Sequence, residues 1–489
     1  MDMEKSSGVL LPIFSLPSSY GIGSFGEEAK KFVDFLVKAK QTYWQILPLN
    51  HPSFGDCPYS CYSTYAGNPY LIDLEKLNKD GLINNAELKK QKVDFETVDY
   101  EYLDATRMRI LKKAANRFIE NDEYRKFCDE NDWLDDYCLF LAIKERYENK
   151  DWLHWPNRYR ARKADALNKF KDKYGKTIRE YKVIQYFFYT QWNETKKYAN
   201  DNGIQIIGDI PFYVAMDSCD VWVNQNLFEI SKSFVPKNVA GVAPDYFSQE
   251  GQMWGNPLYK WKLMKQDNYA WWIKRIKQQR KLYDVIRIDH FRGFDSYYAI
   301  PYGNVDGRIG TWKKGPGYNF FKILKQECED IEIIAEDLGL ITDSVRRLVK
   351  RCKYPGMKVL EFAFGSDDLN PYLPHNVKYN SVIYCGTHDN DTVVGWWNSL
   401  DDWQKRRVYD YIHSYTDENI NYKLIELMMS CKSKIAIMQF QDLLGLDSKG
   451  RINVPGVAKG NWKWMAKDND FNDELASKVA LLTKKYKRC

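Results

Sequence analysis

Four apolar runs in this chain each break off at an acidic residue, and nothing else in the sequence constrains the fold as tightly. They are Gly203-Ile204-Gln205-Ile206-Ile207-Gly208-Asp209, Asp284-Val285-Ile286-Arg287-Ile288-Asp289, Ile331-Glu332-Ile333-Ile334-Ala335-Glu336 and Ser381-Val382-Ile383-Tyr384-Cys385-Gly386-Thr387-His388-Asp389. Runs this apolar, with branched side chains, suit strands of a parallel sheet buried on both faces. Loops at the carboxyl ends of such strands are where barrel enzymes keep their chemistry. Further runs at 8–11, 42–48, 358–364 and 434–440 bring the candidate strands to eight.

Helical patterns fill the gaps. Ser24-Phe25-Gly26-Glu27 has the spacing of a capping box, and Phe32, Phe35, Leu36 and Ala39 then recur at helical period. The segment 343–349 follows the fifth strand in the same way. Strand and helix alternating eight times predicts an α/β fold of the (β/α)₈ barrel type rather than an open doubly wound sheet. A plain barrel needs about 250 residues, so roughly half of the 489 residues are decoration on a single domain, 1–489, without a separate C-terminal β domain. The largest insertion, about 67–178, is mainly amphipathic helix, for example over 105–119 and 133–147. No Pro/Gly/Ser linker borders it, so it is expected to pack on the barrel. A second insertion, about 213–270, joins the third strand to the fourth.

Charge and cysteine usage exclude several classes. A formal charge of +6 comes largely from the tail Lys484-Lys485-Tyr486-Lys487-Arg488, which reads as a solvated, frayed terminus. A nucleic-acid binder would carry a dense basic stripe or a known module, and none is present. The ten Cys form no zinc pattern. The start, Met1-Asp2-Met3-Glu4-Lys5, is not that of a signal peptide, and no run of about 18 apolar residues could span a membrane. A cytoplasmic protein with reduced thiols is expected. Aromatic residues are abundant, with 16 Trp, 35 Tyr and 24 Phe. Flat rings fill cores, and they also make platforms for the C–H faces of sugars.

The strand-end acids give the chemistry. Arg287 and Asp289 lie two apart on one strand and so share a face. A lumenal Arg beside a carboxylate keeps that acid ionised, as a nucleophile requires. Glu336 ends the next strand, and retaining glycosidases place nucleophile and acid/base about 5–5.5 Å apart, a gap that neighbouring strands supply. Asp389 adds a third acid suited to sugar hydroxyls and an oxocarbenium-like transition state. Any one of these acids could instead cap the following helix. Four acids ending four of eight strands, one with a lumenal Arg, exceed what capping explains. The acidic rim has the oxygen ligands of a Mg²⁺ or Ca²⁺ site, but two carboxylates already supply acid and nucleophile, so no metal or other cofactor is expected.

Three segments resemble signature regions of the amylomaltases, the 4-α-glucanotransferases or disproportionating enzymes of glycoside hydrolase family 77. They are Arg287-Ile288-Asp289-His290-Phe291-Arg292-Gly293, Ala335-Glu336-Asp337-Leu338-Gly339 and Gly386-Thr387-His388-Asp389-Asn390-Asp391-Thr392. Gly208-Asp209-Ile210-Pro211-Phe212-Tyr213-Val214, Trp44-Gln45-Ile46-Leu47-Pro48-Leu49 and the stretch from Pro244-Asp245-Tyr246-Phe247-Ser248 to Gly251-Gln252-Met253-Trp254-Gly255-Asn256-Pro257 resemble the same family. The matches span residues 8–464 in order. The resemblance implies a retaining double displacement on α-1,4-glucans such as maltooligosaccharides, with Asp289 as nucleophile, Glu336 as general acid/base and Asp389 as transition-state stabiliser. It implies that Arg287 and His388 hold the donor glucose, that Asp209 lies beside it, and that Tyr59 stacks under it. Asp245, Phe247, Gln252 and Trp254 would belong to a loop over the acceptor side, a candidate lid that favours transfer to sugar over water. Three departures, Cys57 where Ser is usual, Ile452 for Met and Met465 for Arg, leave every catalytic group in place and bear on acceptor preference. An α-amylase-like hydrolase and a non-catalytic glucan-binding barrel are the alternatives. The 244–257 loop speaks against the first, and the intact acids speak against the second.

Overall fold

A computed structural model describes residues 4–53, 55–244 and 248–489. Its strands, in chain order, are β1 (Ser6–Leu10), β2 (Tyr43–Gln45), β3 (Gln205–Ile210), β4 (Asn238–Val242), β5 (Gln252–Pro257), β6 (Val285–Ile288), β7 (Ser296–Pro301), β8 (Thr311–Lys314), β9 (Glu332–Ala335), β10 (Gly356–Val359), β11 (Ser381–Tyr384) and β12 (Ile435–Gln439). Among the described residues, eight of these close a parallel barrel in the order β1-β12-β11-β10-β9-β6-β3-β2. The expected barrel is borne out. Burial dictates it: β6, β11 and β12 are buried at every position, so only helices on the outside and packed side chains within can satisfy both faces.

The outer helices follow their apolar faces. Glu27–Lys38 buries Phe32, Phe35 and Leu36, with Glu27 and Glu28 in its first turn and Lys38 in its last, as the helix dipole favours. The predicted capping box is absent. Gly26 takes the N-cap position without a side-chain bond, and Ser24 Oγ donates instead to Asp73 Oδ2 at 2.8 Å. Asp73 already caps its own helix, Leu74–Lys79, so one hydroxyl ties the two helix starts together. The tail is not frayed. It continues the helix Asp473–Lys485, and Arg488, 0 % exposed, donates to the carbonyls of Met429, Cys431 and Ser433. A guanidinium with five donors can satisfy several orphan carbonyls at once, so this basic residue closes the barrel floor rather than meeting solvent.

The helices Tyr100–Arg117 and Trp133–Arg146 lie against the helix Ala164–Asp201, which leads into β3 and bends at Tyr174. Gln185 in that helix bonds both backbone groups of Gly67, at 2.8 and 2.9 Å. A second sheet escaped the sequence reading. Strands β5-β4-β7-β8 form a four-stranded antiparallel sheet beside the barrel mouth. Its halves come from separate excursions, after β3 and after β6, and β4 and β5 are rich in Gly, Asn and Gln. Neither strand alternates, and the pairing of β4 with β7 that joins the two halves links residues about 60 apart, so no local signal marks the sheet. The sixth barrel strand is also shorter than predicted. It spans Gly356–Val359 and gives way to a 3₁₀ turn at Leu360–Phe362, because Glu361 turns its carboxylate inward toward Asp442, Asp391 and Arg451.

Candidate active site

Strand register assembles the site. Asp209 in β3 pairs with Arg287 in β6, so both side chains enter the barrel on the same level. Arg287 Nη1 reaches Asp209 Oδ2 at 2.5 Å, and the two side chains are 3 % and 0 % exposed. The other arm, Nη2, lies 3.1 Å from Asp289 Oδ1. One guanidinium thus clamps a buried carboxylate below and the rim carboxylate above. Gly208, beside Asp209, has no room for a side chain: a Cβ would meet the Tyr283 ring at 2.0 Å.

One step on, Ile288 pairs with Ala335, so Asp289 and Glu336 leave adjacent parallel strands side by side. Backbone bonds fix both exits, Asp289 N to Ile210 O at 3.0 Å and Glu336 N to Ile288 O at 3.1 Å. The Glu336 carboxyl accepts from His290 N at 2.7 Å and from Leu338 N at 2.8 Å. Burial acts on both acids. Burial, and then the charge of Asp289, push the Glu336 carboxyl up to about 8. Burial also raises Asp289, but Arg287 pulls it back. Both carboxyls are thus held above their ordinary range by burial, and it is Asp289 that Arg287 contacts directly at 3.1 Å, the kind of unequal pair that acid and nucleophile need. Burial likewise lifts Asp209, to about 7, against the pull of Arg287.

The opposite wall comes from the end of β11. Tyr59 Oη donates to Asp209 Oδ2 at 2.8 Å and lies 2.8 Å from His388 Nε2. Its proton being given to Asp209, the imidazole carries its own on Nε2 to bond the same phenol. Burial holds His388 neutral, its value lowered to about 4. The Tyr59 and His388 rings stack at 5.2 Å and 14°, with Trp462 tilted against both. Asp389, its side chain 44 % exposed, stands 3.4 Å from His388 Nε2.

None of these four acids caps a helix. Ser218, His290, Thr342 and Thr392 hold the N-cap positions that follow them. Asp209 is fully buried and contacts Tyr59 and Arg287 through Oδ2.

The sequence reading missed two residues that frame Asp389. Asn453 Nδ2 donates to Asp389 Oδ1 at 2.6 Å. Arg451 Nη2 donates to the Asp389 carbonyl at 3.0 Å and its Nε to the Asn453 carbonyl at 2.8 Å. Behind Arg451, Glu361 and Asp442 are raised by burial, Asp442 to about 7. Gly386 lets Glu361 in, since a Cβ there would meet Glu361 Oε1 at 2.4 Å. Glu361 and Asp442 also follow barrel strands. Ending the sixth strand at Val359 would have exposed Glu361 as a further strand-end acid.

On the side of Glu336 and His290, Trp254 is 38 % exposed. Its ring meets His290 edge-on at 4.9 Å, and its Nε1 donates to Gln252 Oε1 at 3.0 Å. Asp245 and Phe247 lie outside the described residues. Among the described residues, no group of three or more His, Cys, Asp or Glu is arranged to hold a metal ion, no helix is long and apolar enough to cross a membrane, and all ten cysteines are free thiols.

A cleft with two carboxylates on neighbouring strands, one of them paired with Arg287, and walled by stacked rings, meets proteins of known activity. Residues 11–470 match the family model described as 4-alpha-glucanotransferase. A 4-alpha-glucanotransferase of Clostridium butyricum is 44 % identical over 484 residues, covering 98 % of this chain and 99 % of the relative. The amylomaltase from Streptococcus agalactiae, solved in complex with acarbose, superposes with a TM-score of 0.97 at 39 % identity and covers 99 % of this chain and all of its own. The amylomaltase from Corynebacterium glutamicum shares the fold, with a TM-score of 0.79 at 18 % identity over 98 % of this chain and 75 % of its own.

Proposed function

The chain belongs to the 4-alpha-glucanotransferases of glycoside hydrolase family 77, and from that premise we propose how its own residues carry a retaining double displacement on α-1,4-glucans. Glu336 protonates the glycosidic oxygen, and the reducing-end fragment leaves. Asp289 attacks the anomeric carbon from the opposite face and forms a glycosyl-enzyme. Glu336, now ionised and steadied by the N–H groups of His290 and Leu338, takes the proton from the 4-hydroxyl of an incoming glucan. That hydroxyl displaces Asp289, and a new α-1,4 bond forms with the configuration kept.

The remaining groups set geometry and charge. Asp389 holds sugar hydroxyls and balances the oxocarbenium-like transition state. Tyr59 supplies a flat floor for the donor glucose, and the neutral His388 and the upper arm of Arg287 supply hydrogen bonds. Asp209 keeps Arg287 and Tyr59 in place from beneath. Gln252, Trp254, Asp245 and Phe247 line the acceptor side, where a sugar-binding surface over the intermediate favours transfer over hydrolysis. Ten free thiols support a reducing, cytoplasmic setting.

One observation carries this reading: Asp289 and Glu336 leave registered neighbouring strands, one paired with Arg287 and the other held by the N–H groups of His290 and Leu338. The test is incubation of the pure protein with maltotriose, without added metal, resolving products over time. A ladder of longer maltooligosaccharides with little gain in reducing ends is the expected result. Steadily rising reducing ends without longer products would make the protein a hydrolase and overturn the proposal.

A further inference from the structure

A single loop meets Asp389 at one end and the Tyr59–His388 wall at the other. It runs from Arg451 to Trp462, and Trp462 N donates to Ile452 O at 2.8 Å to close its base, the form of a compact Ω-loop. The tip, 454–460, is exposed. Asn461 holds it from within, accepting from Val454 N at 2.9 Å and donating to Val457 O at 2.7 Å. Both roots are anchored. At the first, Arg451 N donates to Ser448 O at 3.2 Å, Ser448 Oγ donates to Asp391 Oδ2 at 2.7 Å, and Arg451 Nη1 lies 3.8 Å from the same oxygen. At the second, Trp462 O accepts from Tyr100 Oη at 2.9 Å and Lys463 O from Val98 N at 2.8 Å, which joins this root to the helical insertion.

The polar root reaches Asp389 by two routes. The Arg451 guanidinium spans the carbonyls of Asp389 and Asn453, and Asn453 Nδ2 closes the ring on Asp389 Oδ1. A planar fork can span two fixed acceptors, whereas an ammonium offers one point of charge. The aromatic root reaches the wall. The Trp462 ring, buried, is tilted against Tyr59 at 5.9 Å and His388 at 6.1 Å. Its backbone sits at φ +64°, a left-handed conformation that a bulky residue avoids. Residues held in this way persist where their surroundings over-determine them, and they cluster at functional sites.

We infer that the 451–462 loop is one clamp on the donor side, with Arg451 the positioning residue for Asp389 and Trp462 the positioning residue for the Tyr59–His388 wall. The inference rests on the glucanotransferase reading above and adds residues that act through Asp389, Tyr59 and His388. The bond between Ile452 and Trp462 passes a displacement of either root to the other. The third acid and the floor under the donor glucose therefore keep their spacing while the bond to Asp289 forms and breaks.

The experiment measures kcat and KM for maltotriose, well below the thermal midpoint, together with that midpoint. The variants are Arg451→Ala, Arg451→Lys, Trp462→Gly, Trp462→Ala and the double variant Arg451→Ala/Trp462→Gly. Arg451→Ala should lower kcat by about ten- to a hundredfold through misplacement of Asp389, with KM changed by less than about twofold. Added guanidinium ion should restore part of that kcat, and Arg451→Lys should recover only part. Trp462→Gly suits the left-handed backbone, so it should be more stable than Trp462→Ala yet no more active. The double variant should lose about as much kcat as the worse single variant, because one element is already released. Losses that multiply in the double variant would mean two independent supports and overturn the clamp. An Arg451→Ala enzyme with kcat intact, or with the loss in KM, overturns it, as does Trp462 activity that recovers in step with the midpoint. Should the wild type raise reducing ends without longer products, the glucanotransferase reading fails separately, and the same kcat ratios, read from reducing ends, still decide the clamp.

Discussion

Replacing Arg287 with Met should destabilise the fold in a way that depends on pH and is rescued by a second substitution. Arg287 Nη1 is 2.5 Å from Asp209 Oδ2, and the side chains are 3 % and 0 % exposed. Removing one member of such a pair leaves a buried charge without compensation, a cost of about 3–5 kcal/mol. At roughly 2.1 cal/mol/K of unfolding entropy per residue, a chain of 489 residues loses about 1 °C per kcal/mol, so the calorimetric midpoint should fall by about 3–5 °C. Asp209 decides the pH dependence. Burial lifts its folded value, to about 7 with Arg287 in place, and without that cation it climbs further. Above the ordinary value of 3.8 the unfolded chain gives up its proton while the folded variant keeps it. The folded wild type keeps that proton too up to about 7, so the deficit of Arg287→Met is nearly flat from about pH 4 to 6, grows from about pH 7 upward where only the variant still holds the proton, and is smaller at pH 5 than at pH 8. Adding Asp209→Asn removes the charge to be buried, so the double variant should recover most of the midpoint at pH 8 and none of the activity. A deficit that is flat with pH, or a double variant no more stable than Arg287→Met, would refute the reasoning.

Four further outcomes follow from the carboxyl pair and the wall around Asp389. Asp289→Asn should lower turnover of maltotriose by more than about a thousandfold, and a glucan product ladder at even a hundredth of the wild-type rate would contradict the nucleophile assignment. In the same variant the Glu336 carboxyl, followed by carbon-13 NMR of labelled glutamate, should titrate below the value of about 8 that the neighbouring Asp289 charge supports; an unmoved titration would mean that burial alone sets it. The wild-type rate should decline on the alkaline side with a midpoint near 8, as Glu336 loses the proton it must donate, whereas a rate still rising at pH 9 would exclude it as the acid. Asn453→Ala frees the Asp389 carboxylate from a 2.6 Å bond and should cost on the order of a hundredfold in kcat by loss of position, with KM for maltotriose changed far less; the reverse split would make Asn453 a binding group.

The barrel and its catalytic rim were legible because burial on both faces leaves a simple trace, an apolar run, and chemistry at the strand ends leaves another, an acid where the run stops. Asp289, Glu336 and Asp389 each carry both marks. Glu361 carries the same marks and was lost, since Leu360 and Phe362 on either side of it extended the apolar run past the true end of the strand. Asn453 and Arg451 had no local mark, because a polar pair in a loop acquires its role only when the fold brings it to Asp389 from more than 60 residues away. The second sheet was lost for a related reason, since the β4–β7 pairing that makes one sheet of two hairpins joins separate excursions. The tail shows the converse error. Charge alone read as solvation, although a guanidinium is the side chain best able to satisfy several buried carbonyls.

These differences bear on how such a site divides its tasks. On the Tyr59 side nearly everything is locked, with phenol, imidazole, carboxylate and guanidinium joined by bonds of 2.5–2.8 Å. That wall must hold one glucose in one orientation while a bond to Asp289 forms and breaks, and rigidity there supplies rate. On the Trp254 side the indole is held only by one bond to Gln252 Oε1 and an edge contact with His290, and it is 38 % exposed. A surface of that kind tolerates chains of different length and offset. An enzyme that takes a fragment from one glucan and gives it to another needs this asymmetry, since the donor glucose is always the same residue and the acceptor is not.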